Sequence, residues 1–117
     1  MSDCIFCKIR EREAPAEIIY EDEKIMAFSN IRPLAPVHLL IIPKKHIESV
    51  NQIEKEDSEV LGHLFLKVKE IAKKMNLKGY KVAVNVEKEG GQEVFHLHFH
   101  LLGGWERGED RDIPGMP

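Results

Sequence analysis

The segment Val94-Phe95-His96-Leu97-His98-Phe99-His100-Leu101-Leu102 places three of the chain's six histidines at alternate positions. Successive side chains on a strand face opposite ways, so His96, His98 and His100 share one face and Phe95, Leu97, Phe99 and Leu101 point the other way, into a core. Near neutral pH an imidazole serves as nucleophile, proton donor or phosphate partner. At ~3.3 Å per residue the outer two histidines lie roughly 13 Å apart at Cα. Ring nitrogens must come within ~2.1 Å of a zinc ion, which neighbours in the row can manage and the outer pair hardly can. The row therefore suits an extended polyanion such as a phosphate chain, with His98 at its centre poised for attack.

Strand parity brings further candidates to that face. On 80–86 the valines share one side, and Asn85 lies with Lys81 and Ala83 on the other. His38 shares a face with Leu40, and Phe28 with Asn30. An apolar slot for a base, a polar group for ribose and a histidine row for phosphate can be assembled from these. Glu89-Gly90-Gly91-Gln92 precedes the row, and glycines let backbone amides approach an anion. Cys4-x-x-Cys7 reads equally as a redox pair, core packing or half of a metal site. His46 and His96 are available to complete a Cys2His2 set, a common closed zinc arrangement.

The elements that must hold these groups follow from periodicity. Residues 18–20 and 24–30 read as two strands joined at Glu21-Asp22-Glu23, and 37–42 as a third, ended by Pro43. Between Asp57 and Met75, Val60, Leu61, Leu64, Phe65, Val68, Ile71, Ala72 and Met75 form the stripe of an amphipathic helix. Asp57 or Ser58 caps it, Lys73 and Lys74 suit its last turn, and Gly79 stops it. Residues 80–86 and 94–102 form a hairpin around a charged loop, ended by Gly103-Gly104. An antiparallel sheet on one long helix, an α+β fold, is the economical architecture. His63 falls on the helix's polar side as a solvated residue. Trp105 covers either its own domain or a partner.

The 117 residues suit a single domain, with 103–117 as a tail. A hydrophobic fraction of 43% and a charged fraction of 32% are those of a soluble globular protein, and the core is modest enough for oligomerisation to supplement it. A net charge of −3, with both signs interspersed, gives no general attraction to nucleic acid or anionic membrane. No apolar run approaches a membrane span, and the first residues lack a signal-peptide pattern, so the cytoplasm is expected.

Gly90-Gly91-Gln92-x-Val94-Phe95-His96-x-His98-x-His100-x-x-Gly103-Gly104 resembles the signature of the histidine triad family. Phe6-Cys7-Lys8-Ile9, Ala27-Phe28-x-x-Ile31, Ala35-Pro36-x-His38 and Ile42-Pro43-Lys44-Lys45-His46 match it in order, and the Leu-Gly-Gly ending resembles the Hint-like branch. The resemblance implies a homodimer with one sheet continuous across both subunits, and hydrolysis of the P–N bond in purine nucleoside 5′-phosphoramidates such as AMP-lysine or aminoacyl-adenylates. It implies that His98 attacks the α-phosphorus to form a nucleotidyl-histidine that water cleaves, with the protonated imidazole supplying the proton for the leaving amine. His100 then holds a phosphate oxygen, His96 and His38 orient and tune His98, and Asn85 contacts phosphate.

Ile5, Phe6, Ile9, Phe28 and Leu40 match the positions enclosing the purine; Asn30 stands at the ribose position and Glu93 beside the phosphate, and Ile31, Gly91, Gln92 and Val94 are further nucleotide-binding positions. Some bacterial members bind structural zinc through residues matching Cys4, Cys7, His46 and His96; no organic cofactor is implied. Many members carry aspartate where this chain has Asn30, and serine where it has Glu93, which favours a cationic, lysine-like leaving group. Two other readings use the same residues: a dinucleoside-polyphosphate hydrolase, separated by preference for P–O–P over P–N bonds, and a non-catalytic nucleotide-binding scaffold, which would not need His98.

Overall fold

The computed structural model describes residues 3–106. In chain order the elements are α1 (Ile5–Arg10), β1 (Ile18–Glu21), β2 (Ile25–Ser29), β3 (Val37–Pro43), α2 (Ser58–Lys74), β4 (Tyr80–Ala83) and β5 (Phe99–Gly103). The strands make one antiparallel sheet in the order β1-β2-β3-β5-β4. Of the tail, residues 107–117 lie outside the described residues. No helix among the described residues is long and apolar enough to cross a membrane.

The central strands are buried on both faces, so they read as unbroken apolar runs. Ile25, Ala27, Leu39, Ile41, Phe99 and Leu101 pack beneath α2, which contributes Leu64, Val68 and Ile71. Each such aliphatic side chain, fully buried, adds roughly 1.5–3 kcal/mol. Met26, Phe28, Leu40 and Ile42 face the other way and pack with Phe6 and Ile9 of α1. α1 itself was not expected: six residues are too few for periodicity to reveal a helix.

α2 spans almost the predicted range, with two corrections. Phe65 is half exposed, its ring set edge-on to Phe99 at 5.3 Å between ring centres. The stop is Asn76 rather than Gly79. Asn76 takes φ 61°, its N–H donates to the Lys73 carbonyl, and the Leu77 N–H donates to that of Ala72. This pair of bonds satisfies the last carbonyls around a left-handed residue, a place asparagine tolerates.

His63, expected in solvent, is part-buried against Asp22 at 2.6 Å. Asp22 also accepts from the Tyr20 hydroxyl and from the Lys24 and Ile25 N–H groups, which ties the β1–β2 turn to α2. Burial opposes ionisation of Asp22, but these donors outweigh it and hold its carboxyl well below the usual range. A folded-state pKa below the unfolded one contributes stability above the ordinary carboxylate pKa, lost as pH falls through the depressed value. Thermal melts between about pH 5 and 2 should therefore fall less steeply for Asp22→Asn than for the parent. At neutral pH the variant should be on the order of 1 kcal/mol less stable, water screening a group this accessible.

Candidate functional site

β5 is shorter than the predicted strand and begins at Phe99. Its pairing with β3 ends at Ile41↔Phe99. Further along β3 stands Pro43, which has no N–H for a ladder. The incoming chain bonds elsewhere: the Leu97 N–H donates to the Ile47 carbonyl at 2.6 Å, and His96 Nε2–H to the Pro43 carbonyl at 2.8 Å. Strict alternation is lost before residue 96, and Phe95, expected in the core, is 42% exposed.

His98 and His100 remain neighbours, with ring centres 5.1 Å apart. The ring of His96, like that of His98, stands edge-on to Phe6, with centres 6.1 Å apart for His96. Its Nδ1 faces Cys4 Sγ and Cys7 Sγ, 3.5 Å from each, while Cys7 Sγ lies 3.2 Å from His46 Nδ1. The four ligand atoms lie within 4.8 Å of one another. Tetrahedral zinc with bonds of about 2.0–2.3 Å puts ligands roughly 3.3–3.8 Å apart, so these spacings fit. The Pro43 carbonyl fixes the proton of His96 on Nε2 and leaves the Nδ1 lone pair toward the thiols, the outer support typical of metal-bound imidazole.

Backbone groups also decide the tautomers of the other rings. His98 Nδ1–H donates to the His96 carbonyl at 2.7 Å, so the lone pair sits on Nε2. The Leu34 N–H donates to His38 Nδ1 at 3.0 Å, which leaves the His38 proton on Nε2. That proton is donated to His100 Nδ1 at 2.9 Å, and the His100 proton must then lie on Nε2. The site thus pairs one imidazole lone pair with one imidazole N–H. Burial disfavours the charged form of all three: His98 and His38 are lowered, and His100 falls to about 4 with help from its two neighbours.

His96 meets His98 by a hydrogen bond from its backbone carbonyl, while the hydrogen bond of His38 within the row goes to His100. Leu34, whose N–H starts the chain of tautomers, was missed; no side-chain pattern marks a backbone donor.

Phe6, Ile9, Phe28 and Leu40 gather in one apolar cluster with Val94 beside it, and Phe6 stands edge-on to His98 at 5.1 Å between ring centres. Ile5 and Ile31 lie outside that cluster and are exposed, Ile31 almost fully. Asn30 is tucked against His38, its Nδ2 3.3 Å from His38 Nε2, and its Oδ1 accepts the Arg32 N–H. Asn85 and Gly91 are adjacent: a Cβ on Gly91, where φ is +90°, would lie 3.8 Å from Asn85 Nδ2. Gln92 is buried, and its amide is used within the fold, donating to the Glu48 and Val94 carbonyls; it braces the loop. Glu93 is exposed and lines a hollow with Ile5, Val94 and Phe95 beside Cys4 and His46. Trp105 covers its own domain, against Leu102, Ala35 and Ala83.

An antiparallel sheet with one long helix, and two neutral histidines set beside an apolar cluster, define a histidine triad type of domain. The HIT domain family model matches residues 11–107. Protein HitA of Neisseria gonorrhoeae is 50% identical over 104 residues, 88% of this chain and 97% of its own. A HIT family hydrolase from Legionella pneumophila superposes with a TM-score of 0.86 at 49% identity, covering 89% of this chain and 95% of that one. A second HIT family hydrolase, from Clostridium thermocellum, gives 0.88 at 42% identity, over 95% and 98%. The chain belongs to the HIT family.

Proposed function

We propose that this protein hydrolyses the P–N bond of purine nucleoside 5′-phosphoramidates. The observation that carries the reading is the tautomer-fixed pair, a free Nε2 on His98 beside an Nε2–H on His100. Phe6, Ile9, Phe28 and Leu40 take the base, with Ile5 and Ile31 closing over it, and Asn30 meets the ribose. His100 Nε2–H, Asn85 and the Gly91–Val94 segment hold the phosphate. As the phosphate anion binds, His98 Nε2 takes a proton from solvent and, because burial disfavours the cation, passes it on to the phosphoramidate nitrogen. The lone pair restored on Nε2 then attacks phosphorus; the P–N bond breaks, its electron pair leaving with the neutral amine. Water attacks the nucleotidyl-histidine, the P–Nε2 bond breaks, and AMP and His98 are regenerated. Glu93, in a hollow shared with Asp3 and Glu48, supports a lysine-type amine as leaving group by charge.

Cys4, Cys7, His46 and His96 would hold zinc, whose part is structural: four protein ligands leave no open position for water or substrate. The reduced thiol pair this requires fits a cytoplasmic protein. β4 is an edge strand with Tyr80 and Val82 partly exposed, and Phe65 and Leu66 are exposed on α2; these surfaces support a homodimer with a continuous sheet. The test is release of AMP from adenosine 5′-phosphoramidate, with diadenosine polyphosphate alongside. Preference for the phosphoramidate is the expected result. Preference for the polyphosphate reassigns the leaving group, and AMP binding without turnover of either leaves a nucleotide-binding module.

A further inference from the structure

We infer that Glu87 is a positioning residue: its carboxylate, bonded to buried Ser49, holds the chain in a glycine-like turn that sets Gly91 against Asn85 at the phosphate end of the site. The identity of the bound phosphate rests on the phosphoramidase reading above. Glu87 has φ 62° and ψ 172°, a region that crowds a Cβ and belongs essentially to glycine. A side chain persists there only when its surroundings over-determine it.

Those surroundings grip residue 87 from two sides. The hydroxyl of Ser49, 0% exposed, donates to the Glu87 carboxylate. That hydroxyl proton is shared with Gln52 Oε1, 2.5 Å away, and the oxygen accepts the Asn51 N–H at 3.1 Å. On the other side the Glu87 N–H donates to Gln92 Oε1 at 2.8 Å, and Gln92 is itself anchored to the Glu48 and Val94 carbonyls. The Glu87 carbonyl accepts the N–H groups of both Gly90 and Gln92, each at 3.0 Å. The whole 88–92 turn therefore hangs on the conformation of one residue, with Gly91 next to the Asn85 amide. Glu87 acts through Asn85 and Gly91, not on the reacting atoms.

The experiment compares the parent with Glu87→Ala, Glu87→Gly and Glu87→Gln. Alanine removes the carboxylate but keeps the Cβ, so the turn relaxes. KM for adenosine 5′-phosphoramidate and Kd for AMP should rise about tenfold, with kcat changed less than about threefold because His98 and His100 are untouched. Glycine removes the crowding together with the grip, and glutamine keeps an acceptor for Ser49; each should recover most of the loss. Amide hydrogen exchange at Gly90, Gly91 and Gln92 should be about tenfold faster in the alanine variant than in the parent. Parental KM, AMP affinity and exchange in the alanine variant overturn the inference, as does a glycine variant no better than alanine. A parent that does not turn over the phosphoramidate sinks the substrate reading alone; exchange and AMP affinity then still decide Glu87.

Discussion

His98→Ala is expected to lower turnover of adenosine 5′-phosphoramidate by about 10³-fold or more while leaving AMP affinity within a few-fold of the parent. The size of the effect follows from the geometry of one ring. His98 is buried, its Nδ1–H is spent on the His96 carbonyl, and only Nε2 can reach a phosphorus. Alanine removes the atom that forms the covalent bond, and no neighbour can substitute. The Nδ1 of His100 is occupied by His38, and its Nε2 carries a proton that serves as donor. His96 is turned away toward Cys4 and Cys7. Binding should persist, because the slot and the His100 N–H are untouched. Mixing the parent with substrate and quenching in alkali should trap the nucleotidyl group on the protein, and the variant should trap none. Turnover by the variant at a parental rate would remove His98 as nucleophile.

Cys4→Ser combined with Cys7→Ser should abolish stoichiometric zinc binding, lower the melting temperature by about 10–20 °C and cost about 10- to 100-fold in turnover. A ligand present at a thousand times its Kd stabilises the folded state by about 4 kcal/mol, and the temperature shift is that energy expressed for a domain of this size. The catalytic cost arises because the cluster and the nucleophile share supports. Cys4 caps α1 and Cys7 lies within it, and the same helix holds the Phe6 ring against His98. His96 supplies one ligand atom from its ring and the His98 anchor from its carbonyl. Releasing α1 and the His96 ring loosens both restraints, and a displacement of about 1 Å at a reacting atom is worth about 10²-fold. Metal analysis, a thermal melt and the phosphoramidate assay on one preparation check all three outcomes. Zinc bound at parental stoichiometry in the double variant would dismiss this ligand set.

Much of the fold is legible in the residues because periodicity reports which face a side chain occupies. The stripe from Val60 to Ile71 places α2, and the apolar runs of β2 and β3 lie where the pattern puts them. The alternation of His98 and His100 holds into the structure, and the gathering of Phe6, Ile9, Phe28 and Leu40, which the resemblance and not periodicity implied, is present too. In α1 the pattern was too short to carry a message, and at Phe95 the alternation runs on in the sequence where the strand itself has not begun. The histidine spacing and the glycines around it also resemble one family closely enough to name it, a membership that the match over residues 11–107 establishes.

The partners of each ring in the row are fixed by the folded chain. Spacing made His96 a third member of the row; Pro43 ended the ladder, and Cys4 and Cys7 lie where its ring points instead. Spacing is silent on tautomers, which follow here from the Leu34 N–H and the His96 carbonyl. Nor does it disclose that a glutamate occupies a glycine's conformation at residue 87 because Ser49 meets its carboxylate. The residue types and their order determined which chemistry was available. Which nitrogen keeps a lone pair and which carries a proton was decided by tertiary structure, because the partner of a buried polar group is whatever backbone or side chain the fold turns toward it, the nearby His96 carbonyl for His98 and the remote His38 ring for His100.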